Sequence, residues 1–116
     1  MADEQRPDVV LCDLDGVVWL AHQPIPGSVA AVARLRADGR RVLFVTNNSA
    51  TRLEVQEATL ARLGIPAAGD VLTSAQAAAL LLQPGERALV CGAQGLVARA
   101  ITIGVPVAIA VVGVVV

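Results

Sequence analysis

Residues 9–12, Val9-Val10-Leu11-Cys12, are an apolar run that stops at two carboxylates and a glycine, Asp13-Leu14-Asp15-Gly16. The run has the length and β-branched content of a strand. Its lack of alternation fits a parallel strand covered on both faces. A carboxylate is strongly penalised on leaving water unless it is paired or bound to a cation. Two of them leaving one buried strand are therefore either a plain polar turn or a site that binds and reacts.

The rest of the chain sets the context for that strand end. Helical spacing runs over 27–38, with Ser28 as a cap, an apolar face of Val29, Val32, Ala33 and Leu35, and Gly39 as a left-handed stop. A second strand, 42–45, ends at Thr46. Thr51-Arg52-Leu53-Glu54 reads as a capping box opening a second helix, which Gly64 and Pro66 close. A short strand over 71–73, a helix from Ser74 through Leu82 and a strand over 87–91 follow. Gly92-Ala93-Gln94-Gly95 opens a last short helix and reads as a simple turn rather than a phosphate loop. The alternation βαβαβαβα specifies a parallel sheet with helices on its faces. Ligands of such sheets bind beyond the carboxyl ends of the strands. Asp13, Asp15 and Thr46 all fall there, so they are expected to converge on one pocket.

Composition narrows the function classes. The 116 residues suit one small domain, and a net charge of −1 gives no reason to expect a nucleic-acid partner. Cys12 and Cys91 lie in apolar runs and read as small buried hydrophobes rather than a disulfide, which suggests the cytoplasm. Trp19 and Phe44 are the only aromatic residues, so the core is built from Val, Leu and Ala. Trp19 reads as core, with shielding of the strand end as the alternative. His22, the lone histidine, reads as a surface group.

Asp13-Leu14-Asp15-Gly16-Val17 resembles the first motif of the haloacid dehalogenase (HAD) superfamily of aspartate-nucleophile hydrolases. Phe44-Val45-Thr46-Asn47-Asn48-Ser49 resembles the second motif, in the form found in p-nitrophenylphosphatases and sugar-phosphate phosphatases. Gln23-Pro24-Ile25-Pro26-Gly27 is similar to the segment linking them in that branch. The resemblance covers roughly residues 8–100. It implies a Rossmann-like three-layer α/β/α core, with a helical turn and hairpin flap in the region of Val17, Val18, Trp19 and Leu20. Residues 1–74 would be the N-terminal half of that core, 75–100 the start of an α/β cap, and 101–116 an apolar β-prone tail. It implies a Mg²⁺-dependent phosphatase acting on a small phosphorylated metabolite through an aspartyl-phosphate. Asp13 would be nucleophile and metal ligand. Asp15 would be general acid, then base, with its carbonyl on the metal. Thr46, through its hydroxyl, and Asn47, through its N–H, would hold the phosphate. Asn48 and Ser49 read equally as helix caps.

The chain also departs from that pattern. It has no lysine, whereas the superfamily's third motif supplies one, and arginine is not equivalent to a compact ammonium. After Glu57 the only acids are Asp70 and Glu86, neither in the context of the fourth motif. The 116 residues thus resemble the front part of a larger enzyme, weakly active or inactive alone, or a non-catalytic remnant or interaction module. A phospho-receiver reading is disfavoured, because the third strand ends in Thr73-Ser74 instead of an acceptor aspartate. The uncharged tail, 101–116, would span roughly 24 Å as a helix against roughly 30 Å of hydrocarbon, so strands are expected over a membrane anchor. Strand one should have an open edge, filled by residues 107–116 or by a second chain as a homo-oligomer.

Overall fold

The apolar run before the aspartates forms β1 (Val9–Asp13). In the computed structural model, residues 7–21, 23–91 and 107–111 are described. Next come a two-residue-per-strand hairpin, β2 (Trp19–Leu20) and β3 (Gln23–Pro24), then α1 (Ser28–Ala37) and β4 (Arg41–Thr46). α2 (Leu53–Arg62), β5 (Val71–Thr73), α3 (Ser74–Ala79), β6 (Ala88–Cys91) and β7 (Val107–Val111) complete the order. The main sheet has the order β1-β4-β5. β1 and β4 run parallel, from Val9 opposite Arg41 to Asp13 opposite Val45. This is the Rossmann-like α/β arrangement that the alternation of elements implies. Among the described residues no helix is long and apolar enough to cross a membrane.

Packing divides the chain into two compact units, Met1–Val45 with Glu57–Val71, and Thr46–Gln56 with Leu72–Val116. In the first, Phe44, Leu14 and Leu60 are fully buried and Val18, Val42 and Ile65 nearly so. Arg41 and Arg36 both pair with Asp70, at 3.1 and 4.0 Å. α1 ends as expected. Gly39 takes φ 81°, where a side chain would be strained, and the Arg40 N–H closes on the Leu35 carbonyl at 3.1 Å.

Several local expectations are corrected. Ser28 does not cap α1. Gly27 holds the cap position, and the Ser28 hydroxyl donates to the Val18 carbonyl at 2.9 Å, tying the helix to the hairpin. β1 is not covered on both faces: Leu11 is 68% exposed and the strand alternates exposed with half-buried residues. A continuous apolar run states that neither face repels a cover, and does not itself supply the cover.

In the second unit, α3 begins one residue earlier than a Ser74 cap would place it. Thr73 is the cap, with the Gln76 N–H on its hydroxyl (3.2 Å) and the Gln76 side chain on its own N–H (2.7 Å). α3 stops at Ala79, leaving Leu80 and Leu81 exposed. β7 pairs in parallel with β6, Leu89 opposite Ile109, and not with β1. The reason is local: β6 offers an apolar, β-prone partner in the same unit. His22 and the Gly92–Gly95 segment lie outside the described residues.

Candidate active site

Asp13 and Asp15 stand exposed on either side of Leu14, which is fully buried. The alternation of the strand carries past its end. Leu14 is drawn into the core, and its two neighbours are turned out. The Leu14 carbonyl accepts the N–H groups of Val17, Val18 and Trp19, at 3.2, 2.9 and 3.2 Å, so the chain wraps around one oxygen. Gly16, at φ 85°, makes that wrap possible and donates to the Trp19 carbonyl at 2.7 Å.

Each carboxylate has one oxygen held. Asp13 Oδ1 accepts the Leu14 N–H at 2.8 Å. Asp15 Oδ1 accepts the indole Nε1–H of Trp19 at 2.9 Å. Trp19 is only 3% exposed, so it fills a core position and also grips the second aspartate. Its size in the sequence points to a core or shielding role, and the hydrogen bond to Asp15 adds a polar one. A lone indole four residues beyond the acid, across a glycine turn, was the available signal.

Beside Asp13, burial first and the Asp13 charge second push the Cys12 thiol above its ordinary pKa of 9.0. Cys12 is half-buried and Cys91 exposed, both unpaired, so neither is the buried hydrophobe expected of it. Raising the folded pKa favours the thiol. That stabilisation is full below pH 9.0 and is lost as pH rises through the folded value. At about pH 8, iodoacetamide should alkylate Cys91 well before Cys12, and faster labelling of Cys12 by mass spectrometry would contradict this.

Thr46, the last residue of β4, opens the second unit. It is buried to 2% exposure, and its Oγ1 accepts the Asn48 N–H at 3.0 Å, leaving the hydroxyl proton to donate elsewhere. Asn47 is exposed, its carbonyl accepting from Ser74 Oγ at 3.3 Å. Asn48 and Ser49 behave as caps. Asn48 Oδ1 accepts the Ala50 N–H (3.1 Å), and Ser49 Oγ accepts the Ala75 N–H (2.9 Å) at the start of α3. The buried Gln56 fixes the loop by donating to the Asn48 carbonyl at 2.9 Å.

The donor set is one of hard oxygens, suited to a cation such as Mg²⁺. Among the described residues no group of three or more His, Cys, Asp or Glu gathers to hold an ion.

Residues 10–106 match the family model of haloacid dehalogenase-like hydrolases. The chain is 41% identical over 105 residues to the D-glycerol 3-phosphate phosphatase of Mycobacterium tuberculosis, covering 86% of this chain and 29% of that one. It is 36% identical over 105 residues to the glycerol-3-phosphate phosphatase of Gallus gallus, covering 85% and 34%. Among solved structures, a glycerol phosphate phosphatase from Mycobacterium tuberculosis in complex with calcium superposes with TM-score 0.73 at 39% identity, covering 85% of this chain and 30% of that one. A p-nitrophenyl phosphatase from Archaeoglobus fulgidus gives TM-score 0.73 at 26% identity, covering 87% and 41%. The chain thus spans about a third of the length of the curated relatives it matches. With the aspartate pair, the parallel sheet and the matched residues 10–106 in agreement, the chain belongs to the haloacid dehalogenase-like hydrolases.

Proposed function

We propose that the chain carries the nucleophile and acid–base half of a Mg²⁺-dependent phosphatase for small phosphomonoesters, in the cytoplasm. The observation that supports this most is the pair of exposed carboxylates flanking buried Leu14, each with one oxygen held and one available. An Asp13 oxygen attacks phosphorus and the bond to the leaving oxygen breaks, with Asp15 giving that oxygen its proton. Asp15, now a carboxylate, then takes a proton from water. The water oxygen bonds to phosphorus, the acyl-phosphate bond breaks, and Asp13 is restored. The Thr46 hydroxyl and the Asn47 N–H are the donors proposed for the phosphate oxygens. Asp13 and the Asp15 carbonyl would hold Mg²⁺, which when bound neutralises phosphate charge. Residues 1–74 are read as core and 75–100 as the start of a cap. Glycerol 3-phosphate is the first substrate to try, because relatives named for it share 36–41% identity with this chain.

The absence of lysine favours a second reading, a non-catalytic module that keeps the fold. Charge stabilisation dominates phosphoryl transfer, so the isolated chain should turn over at least about 10³-fold more slowly than a complete enzyme. The test is release of p-nitrophenolate from the aryl phosphate in Mg²⁺, then after a chelator. Slow turnover abolished by the chelator and restored by Mg²⁺ supports the phosphatase. No turnover, or turnover indifferent to the chelator, supports the module.

A further inference from the structure

We infer that Trp19 is a positioning residue for the Asp15 carboxyl, fixing which of its oxygens exchanges a proton with substrate; this rests on the phosphatase reading. A buried indole N–H without an acceptor would forfeit its hydration, so Trp19 needs a partner. Its Nε1 meets Asp15 Oδ1 at 2.9 Å, and the partner is exposed. The contact therefore joins a side chain held by the core to one that water alone would leave free among rotamers.

The indole is itself held from behind. Trp19 pairs with Pro24 across the hairpin. The preceding carbonyl, that of Val18, accepts both the Ile25 N–H and the Ser28 hydroxyl at 2.9 Å. The Trp19 carbonyl accepts the Gly16 N–H at 2.7 Å, closing a ring around the Asp15 backbone. With a lone pair of Oδ1 occupied by the indole, Oδ2 is the oxygen left to carry the proton. An indole N–H neither accepts nor releases a proton in this range, so its part is geometry and not acid–base chemistry.

A general acid matters most when the leaving oxygen is strongly basic, as in an alkyl phosphate, and least for p-nitrophenolate. The experiment compares kcat and KM of the chain, W19F, and the chain with Trp19→3-benzothienylalanine, which keeps the shape and deletes the N–H. The second replacement stands in if W19F does not fold. With glycerol 3-phosphate, kcat should fall at least about tenfold at unchanged KM, while p-nitrophenyl phosphate should change within about threefold. Equal losses on the two substrates, or a change in KM alone, overturn the inference and leave the phosphatase reading standing. No hydrolysis of either substrate by the unsubstituted chain removes that reading and this one with it. The chain has a single tryptophan, so its indole N–H is one resolved ¹⁵N–¹H signal. Its solvent exchange should quicken at least about tenfold in Asp15→Ala, as expected when a hydrogen bond is lost. Unchanged exchange overturns the inference without any assay of activity.

Discussion

Phe44→Ala is expected to destabilise the chain by about 3–5 kcal/mol, the range for truncating a fully buried aromatic. Phe44 is the largest of the fully buried side chains and sits in β4, the central strand of the main sheet. It faces Cys12 of β1 in the ladder, and its N–H donates to the Asp70 carbonyl at 2.8 Å. The Arg36 guanidinium lies over its ring, 5.9 Å from the centroid, while Arg36 also pairs with Asp70. Truncation empties the core and removes the ring under a cation at once. Against about 5–15 kcal/mol for an ordinary domain, this loss is a large share of the total. Urea unfolding followed by Trp19 fluorescence would measure it, and a loss below about 1 kcal/mol would mean that the site collapses freely.

The sheet carrying Phe44 was legible because its signals are local and agree. Apolar runs ending in Asp13 and Thr46, with Gly39 stopping a helix between them, leave little freedom in placing β1, α1 and β4. Pairing and cover were less legible, since both depend on segments far apart in sequence. The run 9–12 looks buried, yet Leu11 is 68% exposed, because no residue pattern states what lies over a strand. Residues 107–111 are apolar enough for several edges, and β6 rather than β1 takes them. The cap of α3 fell one residue from its expected place because Thr73 and Ser74 have equivalent hydroxyls. Only Gln76, three residues beyond Thr73, distinguishes them.

At the candidate site the residue types were legible and their constraints were not. Two acids two residues apart at a strand end are visible in one dimension. That one is tied to the indole of Trp19 depends on how the Gly16 turn folds back. The size of Trp19 marks it as core, while the partner of its polar edge is set only by that turn. Asn48 and Ser49 went the other way. They sit beside the proposed phosphate donors, yet their side chains are spent on the N–H groups of Ala50 and Ala75. A hydroxyl–amide cluster thus divides into two parts, Thr46 with Asn47 for the proposed anion and Asn48 with Ser49 for the loop that presents them.

Asp13→Asn should lower hydrolysis of p-nitrophenyl phosphate at least about 10³-fold while shifting stability by no more than about 0.5 kcal/mol. The two halves of this expectation have different causes. A carboxamide has no charged oxygen with which to attack phosphorus, so the acyl-phosphate cannot form. Its carbonyl oxygen can still accept the Leu14 N–H that Asp13 Oδ1 holds at 2.8 Å, so the turn around Leu14 survives. The side chain is exposed, which leaves no cavity behind. A further readout is independent of turnover. The Asp13 charge is the second cause, after burial, that raises the Cys12 thiol. Removing it should lower that pKa part of the way, and Cys12 should alkylate faster at about pH 8 in the variant. Turnover equal to that of the unsubstituted chain would remove Asp13 as the nucleophile. A loss of activity together with a large fall in the unfolding midpoint would instead make Asp13 a structural residue of the turn. Lost activity with an unmoved midpoint and a quickened Cys12 is the combination that only an exposed, charged nucleophile beside that thiol produces.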